Sequence, residues 1–130
     1  MVRLLALMSK SIARGGIMIK VIKRFWERGR KGYCYEDIWS FENWLSKTIA
    51  NGLREFRDNC YTYPNDIDDW DKWMSILDEM IECFEEQGRN IDENMSGDFM
   101  ERWRVREEYQ KQKLHRGLEL LERYWWDLWN

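Results

Sequence analysis

The sequence contains few of the residues that build metal sites and catalytic pairs. Its 130 residues include one histidine, one proline and three cysteines, and no Cys-x-x-Cys spacing occurs. Because His115 stands alone, the sequence offers neither a His/Cys zinc site nor a catalytic pair based on histidine. Three scattered thiols are typical of a reducing compartment, so we expect a cytoplasmic protein.

The sequence also lacks a long apolar run and a phosphate-binding loop. The run LLALM near the N-terminus is too short to span a bilayer. Residues 17–30 are basic and amphipathic, and such a segment can lie on an anionic membrane or on nucleic acid, but docking on its own domain is favoured and we expect no membrane partner. The spacing of the glycines at 15, 16, 29 and 32 does not match a phosphate loop. Residues 1–16 are interpreted as an N-terminal extension, and Met18 is an alternative start to Met1.

Aromatic residues, in contrast, are abundant. The chain has nine Trp, six Tyr and five Phe. Each aromatic side chain removes about 150–250 Å² from water when it is buried. Most of them are expected in a core, and a surplus would favour a homo-oligomer or a stacking site for a flat ligand.

Charge is distributed unevenly along the chain. The net charge is −3, but residues 1–32 carry nine basic residues and one acid, whereas residues 65–101 carry two basic and thirteen acidic residues. Opposite charges of this kind attract within a chain or between copies. Ordinary solvated helix faces are the alternative.

Apolar residues recur at steps of three and four in four segments, which predicts helices over residues 17–30, 37–59, 66–87 and 98–128. Short connections, one of them containing Pro64, favour antiparallel neighbours. The prediction is an all-α fold, a compact bundle of about four mostly antiparallel helices, in one domain over residues 17–130.

Several details of these helices follow from capping rules. Asp37 or Ser40 is expected to cap the second helix and Asp66 the third, while Gly88 is expected to end the third in a left-handed conformation. Asp98 or Ser96 is expected to cap the fourth. Gly52 is expected to allow close helix approach, because glycine otherwise costs about 1 kcal/mol within a helix.

The periodicity also predicts which side of each helix is buried. The aromatic C-terminal end, YWWDLW, is expected to pack into the core or into a partner copy. The predicted stripes are Ile38, Phe41, Leu45, Ile49, Leu53 and Phe56 in the second helix; Ile67, Trp70, Met74, Leu77, Ile81 and Phe84 in the third; and Phe99, Trp103, Leu114, Leu118, Leu121, Trp125 and Leu128 in the fourth.

Acidic residues at steps of three raise the question of a metal. Carboxylates paired across two helices can hold magnesium and activate water, as in all-helical nucleotide hydrolases. The candidates are Glu79, Glu82 and Glu85 on the third helix and Glu119 and Glu122 on the fourth. The acids at 66, 68, 69 and 71 do not match a calcium loop, and helix capping explains them.

Basic and aromatic residues form the other candidate site. Arginine binds phosphate with a planar fork, and aromatic rings stack on bases. These residues could therefore hold a small phosphate-containing nucleotide, and surface ion pairs with the acidic segment are the alternative. The predicted ligand-binding residues are Lys47, Arg54, Arg57, Tyr61, Tyr63, Arg102, Arg106 and Tyr109.

Several short runs carry a family resemblance: IKVIKRFWERGRKGY, DIWS, LREFRDN followed by Tyr63-Pro64, WMSILDEMIECFE and GLELLERYWWDLW. Over residues 18–130 they resemble a family of small uncharacterised proteins from tailed phages and prophages. The resemblance implies a phage or infected-host setting and a shared fold, and it supplies no catalytic residue or cofactor.

These observations lead to three functional hypotheses. The first is a small non-enzymatic phage protein that counteracts bacterial defence by sequestering a nucleotide-derived signal. The second is a protein-interaction module, which inhibits a host or defence protein or assists phage assembly. The third is a magnesium-dependent nucleotide hydrolase. Direct DNA binding is disfavoured by the net acidic charge.

Overall fold

The computed structural model describes residues 2–89 and 98–129, with side chains from residue 15 onward. The described residues form four α-helices, α1 (Val2–Lys31), α2 (Phe41–Asn59), α3 (Trp70–Glu86) and α4 (Phe99–Tyr124), with short 3₁₀ turns at Tyr35–Ile38 and Trp125–Asp127. No strand occurs in the described part of the chain. The predicted all-α fold with four helices is confirmed.

The chain divides into two compact units, Met1–Phe41 and Glu42–Asn130. The sequence had predicted one domain over residues 17–130, preceded by an extension over residues 1–16. In the structure, α1 is a helix of 30 residues that includes most of the predicted extension. No helix among the described residues is both long and apolar enough to cross a membrane.

In the first unit, α1 ends at a glycine and the 3₁₀ turn is tied to its last turns. Gly32 has φ of 86°, and its N–H donates to the carbonyl of Arg28 at 2.8 Å. Arg28 donates two hydrogen bonds to Asp37, at 2.7 and 3.0 Å, and Arg24 donates to Glu36 at 3.0 Å. The predicted α2 cap at Asp37 is wrong, because this carboxylate accepts from the Cys34 amide and belongs to the 3₁₀ turn.

In the second unit, the start of α3 differs from the prediction by one turn. Asp69, rather than Asp66, caps the helix by accepting a hydrogen bond from the Lys72 amide at 2.7 Å. The Ile67 amide bonds to the carbonyl of Pro64 at 3.0 Å, which keeps residues 64–67 in a turn. The predicted left-handed Gly88 is also wrong, since Gly32 is the only positive-φ residue in the described chain. Asp98 caps α4 as predicted, and Ser96 lies outside the described residues.

The core of the second unit lies on α3, with contributions from α2 and α4. The buried cluster consists of Ala50, Leu53, Cys60, Ile67, Trp73, Leu77, Met80, Ile81, Phe84, Leu120 and Tyr124. Trp73 and Tyr124 pack edge to face at 5.4 Å between ring centroids. Aromatic pairs of this geometry add about 0.5–1.5 kcal/mol beyond their burial.

The buried face of α4 is not the predicted one. Gly117, Leu120 and Tyr124 are buried, whereas Leu114, Leu118 and other members of the predicted stripe are exposed. In α2, Leu53 is buried but Phe41 and Leu45 are exposed, and Ser46 and Ala50 take the inner positions. Ile38, which was predicted in the same stripe, is exposed at the end of the 3₁₀ turn. The C-terminal tryptophans Trp125, Trp126 and Trp129 are exposed. Of the aromatic C-terminal end YWWDLW, only Tyr124 and the partly buried Leu128 pack into the core of this unit.

Close helix approach occurs at Gly117 and not at Gly52. A Cβ added at Gly52 meets no atom within 4 Å, so the expected close contact is wrong. A Cβ added at Gly117 would lie 2.9 Å from the Cβ of Cys83. The closest packing in this unit is therefore between α3 and α4.

Ion pairs show that the helices of the second unit run antiparallel. Along α3, Glu79 pairs with Arg116 at 2.8 Å and Glu82 with Lys113 at 3.5 Å. Residue numbers rise on α3 as they fall on α4, which defines an antiparallel pair. Asp78 and Glu85 pair in the same reversed order with residues 57 and 54 of α2.

Candidate functional site

A pocket of about 670 Å³ opens in the second unit between α2, the end of α3 and α4. Drug-sized ligands and cofactors occupy pockets of about 300–1,000 Å³. The lining residues are Asn43, Ser46, Lys47, Ala50 and Asn51 from α2; Phe84, Glu85, Gln87, Gly88 and Arg89 from the end of α3; and Trp103, Glu107 and Gln110 from α4.

Lys47 is the distinctive charged group of this pocket. It is exposed on α2 and forms no ion pair with any residue in the described part of the chain. The acids of the pocket are engaged elsewhere: Glu85 pairs with Arg54, and Glu107 pairs with Lys111 at 3.1 Å. The pocket therefore offers an ammonium group to a ligand without first breaking an ion pair.

The pocket also has a flat aromatic wall. Trp103 lies on α4 with about half of its surface exposed and lines the pocket beside buried Phe84. An exposed indole face can stack on a planar ring. Asn43 and Asn51 bring amide groups to the opposite wall on α2, where they can bond to the polar edge of such a ring.

Two glutamines fix the end of α3 against α4. The side-chain amide of Gln87 donates to the carbonyl of Gln110 at 2.9 Å, and that of Gln110 donates to the carbonyls of Glu86 and Arg89 at 3.0 and 2.9 Å. The last carbonyls of a helix have no partner within it, so these amides satisfy groups that would otherwise need water. The pocket wall formed by residues 87–89 is thus anchored from both sides.

A buried carboxylate lies directly behind this wall. Glu86 is only 1% exposed, and it pairs with Arg89 at 2.7 Å and with Arg106. The Arg106 guanidinium also lies 5.6 Å from the ring centroid of Tyr109, within cation–π range. Two cations therefore share one buried anion, which leaves the back of the pocket with a net positive charge.

The structure places the eight predicted ligand-binding residues in three groups. Lys47 lines the pocket, and Arg54 and Arg106 adjoin it through Glu85 and Glu86. Tyr109 lies under the guanidinium of Arg106, and Arg102 lies one turn earlier on α4. Lys47 is thus the one predicted residue that lines this pocket, and the remaining three are described next.

Arg57, Tyr61 and Tyr63 do not line the pocket. Arg57 donates to Asp78 at 2.5 Å, and this hydrogen bond raises the pKa of the guanidinium. Tyr61 is exposed, and Tyr63 packs edge to face on Trp70 at 6.4 Å. The basic and aromatic residues predicted as one site thus spread over several surfaces of this unit.

Many of the basic residues are engaged with the acids of α3. Arg54, Arg57, Arg106, Lys113 and Arg116 all form ion pairs with residues 78–86. The hydrogen bond from Arg116 to Glu79 raises the pKa of this arginine. These contacts match the alternative interpretation, surface ion pairs with the acidic segment, for much of the predicted set.

The carboxylates considered for magnesium have basic partners. Glu79, Glu82 and Glu85 each form an ion pair, and Glu119 lies 3.7 Å from Arg116. Among the described residues, no group of three or more His, Cys, Asp or Glu is arranged to hold a metal ion. Glu122 is exposed on α4.

Several pocket residues were not among the predicted ligand-binding residues. Trp103 was assigned to a buried stripe, and Asn43, Asn51, Gln87 and Gln110 carry no charge or motif that marks them. Amides spread over three helices become a group only after the helices pack. The signal available in the sequence was the spacing of Asn43, Lys47 and Asn51, which lie at steps of four on one helix.

No protein-family model matches this chain, and neither the curated proteins nor the solved structures contain a match to it. A functional proposal for the protein therefore rests on the pocket, its charges and its aromatic wall.

Proposed function

We propose that the protein is a small, non-enzymatic phage-type binding protein that sequesters a nucleotide-derived signal of bacterial defence in this pocket. The observation that carries the proposal is the pairing of an unengaged cation with an aromatic wall. Lys47 and Trp103 line the same 670 Å³ pocket from two different helices. Phosphate and base are the two parts of a nucleotide that these groups recognise.

In this proposal each side chain has one role. The Lys47 ammonium binds a phosphate oxygen, and the indole of Trp103 stacks on the base. Asn43 and Asn51 bond to the edge of the base, and Glu107 accepts from a ribose hydroxyl. Arg89, which lines the pocket and shares Glu86 with Arg106, adds a longer-range attraction for the anion.

The proposal is tested by a thermal-shift screen of the purified full chain against linear nucleotides, cyclic nucleotides and ADP-ribose derivatives, with and without magnesium. A ligand at 100-fold excess over its dissociation constant adds about 2.7 kcal/mol to the stability of the folded state. We expect one compound class to raise the melting temperature selectively, without a magnesium requirement and without turnover of the compound.

Calorimetry on paired variants then locates the site. Lys47→Ala removes a charge-assisted contact worth about 1.5–3 kcal/mol, so affinity should fall about 10- to 150-fold. Trp103→Ala removes a stacking contact worth about 1–3 kcal/mol. The controls are Lys72→Ala and Trp126→Ala, which change an exposed lysine and an exposed tryptophan outside the pocket lining.

If no compound in the thermal-shift screen raised the melting temperature, the proposal of nucleotide sequestration would be overturned. If Lys47→Ala and Trp103→Ala both left the affinity for a ligand unchanged, that ligand would bind outside this pocket. Conversion of a nucleoside triphosphate in the presence of magnesium would favour the hydrolase hypothesis instead.

A second candidate function, a protein-interaction module, is favoured by the exposed C-terminal aromatics. Trp125, Trp126 and Trp129 are all more than half exposed. Tryptophan is enriched in the centres of protein interfaces and costly to leave in water. This surface is proposed to contact a second copy of the chain or a host defence protein. Light scattering on Trp126→Ala and wild-type protein tests the first possibility, since loss of an oligomer would assign the surface.

A further inference from the structure

The first unit carries an apolar surface whose side chains contact water. Seven residues of α1 between positions 17 and 26 are at least half exposed: Ile17, Met18, Ile19, Val21, Ile22, Phe25 and Trp26. At 100° per residue they occupy one continuous arc of about 200° around the helix. Phe25 and Trp26 are 78% and 70% exposed, so the largest apolar groups are the least covered.

The opposite arc of the same helix is basic. Lys20, Lys23, Arg30 and Lys31 lie there, and none of them forms an ion pair with a residue that the structure describes. Glu27 is the only acid between residues 15 and 31. Arg24 and Arg28 are engaged with Glu36 and Asp37 in the 3₁₀ turn, which leaves the four other cations available.

The two arcs together restrict the partner that fits this helix. A duplex nucleic acid would contact the basic arc but leave Phe25 and Trp26 in water. A second copy joined through the apolar arc would bring two strongly basic helices together at a repulsive cost. The surface of an anionic bilayer offers an apolar region to one arc and phosphates to the lysines, whose flexible stems reach toward the headgroups.

We infer that α1 binds along the surface of an anionic lipid bilayer, with the apolar arc in the interfacial region and the lysines against lipid phosphates. This inference is independent of the nucleotide pocket, which lies in the second unit. It reverses the expectation of no membrane partner, which favoured docking of residues 17–30 on their own domain over binding to a membrane surface. A helix that lies in the interface needs a wide apolar arc rather than a long apolar run.

The test is flotation of the full chain with vesicles of equimolar phosphatidylglycerol and phosphatidylcholine, compared with vesicles of phosphatidylcholine alone. We expect flotation with the anionic vesicles only, and a loss of binding as salt is raised. A lysine near an anionic surface contributes about fivefold to partitioning, so Lys20→Gln with Lys23→Gln should weaken binding about 25-fold.

Two further variants separate the arcs. Phe25→Ser with Trp26→Ser removes exposed apolar groups, so the helix should remain folded by circular dichroism while flotation is lost. Val105→Ser removes a comparably exposed apolar side chain from the other unit and should float like the wild type.

Absence of flotation with both vesicle compositions would overturn the inference, as would equal binding to neutral and anionic vesicles. Binding of a short DNA duplex that is lost in the lysine variant and retained in the Phe25/Trp26 variant, without flotation, would assign the basic arc to nucleic acid. A dimer in light scattering that is lost in the Phe25/Trp26 variant, again without flotation, would assign the apolar arc to a second copy.

Discussion

Gly117 of α4 lies so close to Cys83 of α3 that a Cβ at position 117 would be 2.9 Å from the Cβ of Cys83. Two atoms of the Phe84 ring would lie at 3.3 and 3.4 Å. Both neighbours are buried, and the Cys83 Cβ is fixed to the backbone, so neither can move without shifting α3. The same burial raises the pKa of the Cys83 thiol through desolvation.

The first prediction is that Gly117→Ala destabilises the protein even though alanine is the better helix former. The added methyl group overpacks the interface between α3 and α4, which typically costs about 1–3 kcal/mol. Replacing glycine within a helix returns about 0.5–1 kcal/mol, so a net loss remains. Urea unfolding monitored by circular dichroism measures the difference.

Gly52→Ala is the matched control for this prediction. It also replaces a glycine within a helix, but the added Cβ meets no atom within 4 Å. We therefore expect it to stabilise the protein by about 0.4–1 kcal/mol. A stabilising Gly117→Ala variant would show that α3 and α4 do not approach as closely as this.

The second prediction concerns two leucines that lie two residues apart on α4. Leu120 is 4% exposed and joins the core, whereas Leu118 is 49% exposed. Replacing a buried leucine with alanine costs about 2–5 kcal/mol, because transfer energy is lost and a cavity remains. Leu120→Ala should therefore cost at least about 2 kcal/mol and Leu118→Ala less than about 1 kcal/mol. Equal losses of unfolding free energy in the two variants would contradict the prediction, because they would show that the buried face of α4 lies between Leu118 and Leu120.

These two leucines show what the sequence could and could not specify. Periodicity identified α2, α3 and α4 and their antiparallel order, because apolar spacing and Pro64 act locally. The buried face of α4 was misplaced, since large leucines and tryptophans outweigh a glycine in any count of apolar residues. Gly117 faces the core because α3 approaches there, and that approach depends on the packing of two helices.

The pocket residues also show what could not be predicted from the sequence. Lys47 was predicted because it belongs to a set of basic and aromatic residues that could bind phosphate, and only the structure shows that it forms no ion pair with a described residue. Asn43 and Asn51 lie four residues before and after Lys47 on α2, a spacing that places them on one helix face but was not used, whereas Trp103 joins them only because α4 lines the same pocket. The capping carboxylate of α3 was displaced from Asp66 to Asp69 by a turn that begins at Pro64.

The third prediction concerns the two arginines that share Glu86. Arg106→Met should destabilise the protein by about 1–3 kcal/mol more than Arg89→Met. Removing Arg106 leaves a carboxylate that is 1% exposed with only one partner, and Arg89 is itself half exposed. Removing Arg89 also leaves Glu86 with one partner, but that partner, Arg106, is only 26% exposed, so the remaining ion pair is better shielded from water than the pair with Arg89.

Methionine keeps much of the apolar stem of arginine, so the comparison isolates the charge. The measurement is urea unfolding of both variants at neutral pH. Equal costs for the two variants would contradict the prediction, because they would show that Glu86 depends no more on Arg106 than on Arg89.

The fourth prediction is an acid-sensitive 3₁₀ turn in the first unit. The hydrogen bonds from Arg28, followed by that from the Cys34 amide, hold the pKa of Asp37 well below its ordinary value of 3.8. A carboxyl whose pKa is lowered on folding stabilises the folded form above its ordinary pKa, and that contribution is lost as the pH falls toward the folded value. The turn should thus stay tied to α1 at neutral pH and release only below about pH 4.

NMR titration of the Asp37 carboxyl carbon measures its pKa. The substitution Arg28→Met should raise this pKa toward 3.8. The pKa of Glu36, which is bonded to Arg24, should stay low in the same variant. An Asp37 pKa that is the same in the wild type and Arg28→Met would contradict the assignment of Arg28 as its main partner.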